Sequence, residues 1–316
     1  MVKSGGKLEK RIVLLCTHNG ENFILEQLNS IVNQTMKPNQ LNIFDFDSND
    51  NTRIIIQRFI EKYDGPIKVK LKLFHYAQGA FCSFLESIKS TLVETEPDSL
   101  IFFCDQDDIW EKDKINSQFT LYKGLDFEKN APVVIYHDVK VVDKDLNLIN
   151  NDYFRGSPNV LPRDSDFKSL LFGNAIIGHT MMVNVKALKL FQYSINPKKY
   201  IMHDWPLALI SSLHGHLIFC DKKLTCYRQH DSNVLGVSSK YSNYNFTNTY
   251  NYSKRILEQD FVFFLDNKEF IKSSKYRFLF SNYLPIFRFK LAFFGLFFAP
   301  GIKKKILSLF ILFNWL

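Results

Sequence analysis

The sequence predicts an α/β protein, a mostly parallel sheet with helices on both faces, followed by a helical, Phe-rich C-terminal extension. Through the first hundred residues, short apolar runs of strand length alternate with segments of helical period, the pattern of consecutive βαβ units. Polar clusters close three of those runs, and in such sheets ligands bind at the C-terminal ends of the strands. Beyond about residue 240 the alternation stops and Phe and Lys accumulate.

Residues 11–16 (RIVLLC) read as a short buried strand, and Ile24, Leu28, Ile31 and Val32 place a helix over 23–32. A second strand is expected over 41–46 and a helix over 53–63. Ile67, Val69, Leu71 and Leu73 alternate as a third strand, and Phe81, Phe84, Leu85 and Ile88 give the next helical face. Residues 100–104 (LIFFC) form a fourth apolar run. The clusters Thr17-His18-Asn19-Gly20, Asp45 to Asp50 and Asp105-Gln106-Asp107-Asp108 fall at the ends of the first, second and fourth strands. Trp110 and Lys114 fit the start of a helix, with Asp108 as a candidate cap.

The length, 316 residues, suits one large domain or two small ones. With 46% hydrophobic and 23% charged residues the chain is neither disordered nor collagen-like. The formal charge of +8 raises the question of nucleic acid, but the basic residues are dispersed or flank the apolar tail, so no nucleic-acid partner is expected. Walker, GxGxxG, HExxH and GxSxG patterns are absent, which sets aside phosphate binding by a glycine loop and two hydrolase classes. Five cysteines without a CxxC pair point to buried free thiols in a reducing compartment. Residues 1–10 carry no apolar signal-peptide core, so a cytoplasmic location is expected, and the sequons at Asn245 and Asn251 receive no weight.

Residues 241–252 read as a loop, and 254–272 as an amphipathic helix. Residues 277–316 then hold ten phenylalanines punctuated by Arg288, Lys290, Lys303, Lys304 and Lys305. Their uncharged runs are shorter than the roughly 20 residues that span a bilayer. Interleaved Phe and Lys suit a helical region lying on an anionic leaflet; a Phe-rich core helix pair or a dimer surface is the alternative. The expected division is a catalytic domain over 1–236 and a membrane-surface region over 237–316. A chain lacking 277–316 is then expected to stay folded and more soluble.

Three acids in four residues at a strand end repel one another unless they share a cation. Hard divalent ions take carboxylate oxygens, and Mg²⁺ or Mn²⁺ often bridges one or two carboxylates to a diphosphate. Asp105-Gln106-Asp107 is therefore a candidate metal–diphosphate site; a solvated turn capped by Asp108 is the alternative.

Ile12 to Glu21, Leu25 to Ile31 and Asn33-Gln34-Thr35 resemble the opening of glycosyltransferase family 2. Asp105-Gln106-Asp107-Asp108-Ile109-Trp110, with Asp113-Lys114-Ile115, is similar to the family's metal motif in its rhamnosyltransferase-like branch. His203-Asp204-Trp205 and Tyr227 to Val234 resemble that branch's later motifs, so the resemblance spans about residues 10–236. It implies a Rossmann-like GT-A fold, a nucleotide-sugar donor and Mg²⁺ or Mn²⁺. By it Asp45 sits near the nucleobase, Asp105 near the ribose and diphosphate, Asp107 and His230 hold the metal, and Asp204 is the catalytic base. Thr17, in the first polar cluster, and Trp110, as a possible stacking surface, complete the candidate substrate contacts. Asp204 can also cap the helix running through Leu207 to Leu213.

The chain departs from the family on the donor side. His18 stands where Tyr is usual, Asp45-Phe46-Asp47-Ser48 where Asp-Asp-Gly-Ser is usual, and Ala77 and Ser83 where Asn is common. The expected function is a metal-dependent inverting transferase that moves a sugar such as rhamnose to a hydroxyl of a surface polysaccharide or lipid-linked glycan. Its expected place is the inner face of a bacterial cell membrane. A degenerate transferase fold serving as a sugar-binding or scaffold module is the alternative, on the strength of the unusual turn at Asp47.

Overall fold

A computed structural model describes residues 9–312 except 77–78, 127–130, 152, 154–165, 193–195, 232, 234–245 and 300–301. The first four strands are β1 (Arg11–Thr17), β2 (Gln40–Phe46), β3 (Lys68–Phe74) and β4 (Leu100–Cys104). Between them run α1 (Ile24–Val32), α2 (Thr52–Lys62) and α3 (Ala80–Val93). All fall within a few residues of the expected bounds. Val13, Leu14 and Leu15 are buried because β1 lies between β2 and β4 with helices on both faces, which is why its apolar run does not alternate.

The second half adds β5 (Ile109–Trp110), α4 (Lys114–Gly124), β6 (Val133–Val142), β7 (Leu148–Asn150), α5 (Phe167–Leu170), β8 (Met182–Asn184), α6 (Val185–Gln192), α7 (Asp204–His214) and β9 (His216–Arg228). The sheet order is β3-β2-β1-β4-β8-β6-β9-β5, with β7 on β6. Strands β3, β2, β1 and β4 are parallel, whereas β8 runs antiparallel to both β4 and β6, and β9 returns parallel to β6. The sheet is therefore mixed, more so than the sequence pattern predicts. Trp110 lies in a two-residue strand, and the helix begins only at Lys114.

Two features of this topology build the site. The strand order reverses between β1 and β4, so the Thr17 and Asp105 clusters end up side by side, with Leu15 in register with Cys104. The antiparallel pair β5–β9 carries the end of β9 to the loop after β4, so Arg228, His230 and Asn233 reach Asp107.

Helices α8 (Phe246–Asp266), α9 (Lys268–Ser273), α10 (Leu284–Phe298) and α11 (Ile302–Leu312) follow. Residues 246–252, expected as loop, open α8; 241–245 and Ala77 lie outside the described residues. Phe287, Leu291, Ala292, Phe294 and Ile311 belong to the same core as Phe84, Phe103 and Trp205. The Phe287 ring lies 4.9 Å from Phe264 and 5.5 Å from Phe261. Gly295 allows α10 to approach closely: a Cβ there would come within 2.0 Å of Ser308 Oγ and 2.5 Å of the Phe172 ring. One face of the tail is thus core, which argues against the expectation that 277–316 can be removed without unfolding. Ile286, Phe289, Phe293 and Phe297, spaced at three and four residues on α10, are 50–64% exposed. No helix among the described residues is long and apolar enough to cross a membrane.

Candidate active site

A cleft of about 510 Å³ opens at the strand ends, within the usual size of a ligand pocket. Thr17, His18, Asp105, Asp107, Asp204 and His230 all line it. The loops after β1 and β4 are tied together by one side chain. Gln106 Oε1 accepts from Thr17 Oγ1 at 2.7 Å and from His18 N at 2.9 Å, while its Nε2 donates to His18 O at 3.0 Å. Gly20 leaves room for that amide, since a Cβ there would lie 2.3 Å from Gln106 Oε1.

At one end, His230 Nε2 lies 2.9 Å from Asp107 Oδ2, and Asn233 Nδ2 lies 3.5 Å from the same oxygen. An imidazole and a carboxylate, both partly exposed to the cleft, are a donor set that suits Mg²⁺ or Mn²⁺ completed by substrate oxygens. Burial, with Asp108, Asp107 and Asp204 nearby, pushes the Asp105 carboxyl well above the ordinary range against the pull of His179. Clustered carboxylates of this kind are relieved by a cation, so these residues fit the ion.

Asp105, Asp108 and His179 also bring ligand atoms within 4.8 Å of one another. Asp108 and His179 are, however, wholly buried and paired with each other. Burial opposes charge on His179, yet the Asp108 carboxylate outweighs it and raises its pKa. Buried Lys114 donates to His179 O at 2.6 Å and to Thr225 Oγ1 at 3.1 Å, and burial pushes its ammonium down to about 7. This set is an internal brace beneath the loop. Asp108 spends its Oδ1 on Arg228 N at 3.1 Å and does not cap α4.

Asp204 sits at the first residue of α7. Its carboxylate accepts from Asn174 Nδ2 at 2.8 Å and from the backbone of Gly178 and Trp205. Burial nevertheless dominates and pushes it up to about 7. His203 beside it is neutral, pushed down to about 3 by burial, and stacks on Phe84 at 3.9 Å.

Residues 12–189 match the family Glycosyl transferase family 2. The chain is 30% identical over 234 residues to the dTDP-rhamnosyl transferase RfbG of Shigella flexneri, covering 71% of this chain and 74% of that one. The chain belongs to glycosyl transferase family 2. It is 23% identical to an Escherichia coli UDP-Glc:alpha-D-GlcNAc-diphosphoundecaprenol beta-1,3-glucosyltransferase, WfgD, over 70% of this chain and 78% of that one. Its fold is GT-A, shared with residues 1–349 of S. aureus TarS in complex with UDP-GlcNAc. That match has a TM-score of 0.51 at 18% identity and covers 91% of this chain and 81% of that one.

Of the candidate site residues the sequence offers, the cleft gathers Thr17, Asp105, Asp107, Asp204 and His230, and leaves out Asp45 and Trp110. Asp45 is wholly buried, where Ser48 Oγ donates to its Oδ2 at 2.5 Å, Ser48 N to its Oδ1 at 3.2 Å, and Arg53 pairs with it from α2. It braces the turn instead of facing the cleft. Trp110 is buried under α1, its indole N–H donating to Gln27 Oε1 at 3.1 Å and its ring face covered by Lys114 Nζ at 3.9 Å, so no face is left for a sugar. Thr17 reaches the cleft, but its hydroxyl is engaged with Gln106. Gln106, Asn174 and Asn233 are site residues beyond those the sequence singles out. Gln106 and Asn233 lie inside quoted motifs, whereas nothing in the pattern around Asn174 marks it.

Proposed function

We propose that this glycosyltransferase is metal-dependent and inverting, and takes a sugar such as rhamnose from a nucleoside-diphosphate donor to a hydroxyl of a growing or lipid-linked glycan. The observation that carries it is a buried carboxyl, Asp204, held near neutrality in the same cleft as the Asp107–His230 pair. A base poised at about 7 matches its task at physiological pH. Asn174 and two backbone N–H groups fix its orientation. In the step, Asp204 accepts the proton of the acceptor hydroxyl as that oxygen bonds to the anomeric carbon, and the bond from that carbon to the diphosphate oxygen breaks. Attack opposite the leaving group inverts the configuration. Asp107 and His230 would hold a divalent cation, which would supply charge neutralisation for the departing diphosphate. Likeness to a dTDP-rhamnosyl transferase supports the choice of sugar. The turn at Asp47 supports a working site over a scaffold: Asp47 adopts φ 58°, the conformation a glycine would supply there.

Asp107→Ala is expected to abolish Mn²⁺-dependent binding of dTDP-rhamnose while the far-ultraviolet circular dichroism stays unchanged. Calorimetric titration with and without Mn²⁺ checks this, and a variant whose donor affinity still responds to the metal would move the site elsewhere.

The same proposal places the chain on an anionic membrane surface through the outer face of α10 and α11. Residues 267–316 hold nine Lys and Arg against one acid, Glu269. Lys268, Lys272, Lys275, Arg277 and Lys305 are exposed in the same C-terminal region that carries the bare Phe face, a combination that suits anionic lipid headgroups. Replacing Phe289, Phe293 and Phe297 together by Ser is expected to abolish flotation with phosphatidylglycerol vesicles. Added salt is expected only to weaken it, because salt screens the electrostatic share alone. Flotation that survives the triple substitution, or a dimer dispersed by it, would refute the membrane assignment.

A further inference from the structure

Arg228 is buried, and its side chain joins three separate parts of the chain, one of them the loop of Asp107. Nε donates to the backbone oxygen of Asp107 at 2.8 Å, and Nη1 donates to the oxygen of Lys144, in the turn between β6 and β7, at 2.7 Å. Nη2 pairs with Glu26 of α1. The guanidinium lies 4.7 Å over the ring of Phe23, and that ring also stacks on the His230 imidazole at 4.7 Å and 27°. The residue's own backbone continues the grip: its N–H donates to Asp108 Oδ1 at 3.1 Å, and its oxygen accepts from Asn233 Nδ2 at 3.2 Å. Asn233 Oδ1 in turn accepts from His230 N at 2.6 Å. Asp107 and His230 come from loops more than a hundred residues apart in sequence, and Arg228 touches the supports of both.

From this geometry we infer that Arg228 is the positioning residue for the cation site. It fixes the loop of Asp107 through the carbonyl and the face of His230 through Phe23, so the two donor atoms are held ready before metal and nucleotide arrive. The inference rests on the metal-dependent reading above and extends it to a residue that need not touch either ligand. Only a planar fork serves three acceptors on three elements while its face lies on an aromatic ring; a lysine ammonium offers one point charge and no stacking face. Groups that orient metal ligands typically change metal affinity by roughly 10–100-fold when replaced.

The test is Mn²⁺ affinity in the presence of dTDP, read from the electron paramagnetic resonance signal of free Mn²⁺, for the full chain and three variants. Arg228→Lys is expected to weaken Mn²⁺ binding by roughly tenfold or more. Phe23→Leu, which keeps the carbonyl bond and removes the aromatic support of His230, is expected to give a smaller loss of the same kind. Glu26→Gln removes the charge that anchors Nη2; its side chain is half exposed, so it keeps the test available should Arg228→Lys fail to fold. It too is expected to weaken binding. A purely structural role predicts a lower unfolding temperature with unchanged Mn²⁺ affinity per folded molecule, and that result in the soluble variants would overturn the inference alone. Absence of Mn²⁺ binding by the unsubstituted chain would overturn the metal-dependent reading along with it.

Discussion

Asp204→Asn is expected to lower the rate of sugar transfer by about 10²–10⁴-fold, the usual share of a general base, while donor affinity is retained. The substitution keeps the shape of the side chain and its bond from Asn174, and removes the basic oxygen. The unsubstituted enzyme should lose transfer as pH falls through about 7, because protonated Asp204 cannot accept the acceptor's proton. The residual rate of the variant should lack that acid limb. Stability moves in the opposite sense. Asp204 holds its proton up to about 7 in the folded chain, whereas an unfolded carboxyl releases it near 4. Between those values the unfolded state binds fewer protons, so stability falls as pH rises through the window. The Asn variant lacks this contribution and should show a shallower decline in unfolding temperature from pH 4 to 7. Near-normal turnover of Asp204→Asn at saturating donor would place the base elsewhere, whatever its unfolding curve.

The parts of this protein legible in its sequence are those set by local patterns. β1 and β4 announce themselves because a strand covered on both faces has no polar position to offer, and the polar clusters that follow them mark the mouth of the cleft. The Asp107–His230 pair came from two motifs 123 residues apart, and the β5–β9 pairing explains their meeting. What stayed hidden depends on partners from other elements. Asp45 reads like any acid at a strand end until Arg53, one helix later, claims it. Trp110 reads like a stacking platform until Gln27 and Lys114 cover it. Asn174 has no periodic or motif signature, because beside its local bonds to Ile176 its contact with the site is to a residue thirty positions away.

The two faces of the tail differ most sharply in what they contribute to stability. A helix with Phe on one face and Lys on the other declares which side goes inward; α10 carries apolar residues on both, so periodicity alone cannot orient it. The structure turns Phe287, Leu291 and Phe294 into the core and leaves Ile286, Phe289 and Phe293 outside. Phe287→Ala is therefore expected to destabilise the fold by about 3–5 kcal/mol, the usual cost of emptying a buried aromatic site. Phe289→Ala, two residues away on an exposed face, should stay within about 0.5 kcal/mol. Urea unfolding followed by tryptophan fluorescence measures both. Deleting 277–316 removes the inward set together, along with the Lys304 bond to the oxygen of Ser169, which lies on α5 against the core. The truncated chain should then expose the rings of Phe172, Phe261 and Phe264 and aggregate. A soluble, cooperatively folding truncation, or equal losses from Phe287→Ala and Phe289→Ala, would mean that α10 does not pack on the catalytic core and that its outward face has no fixed identity.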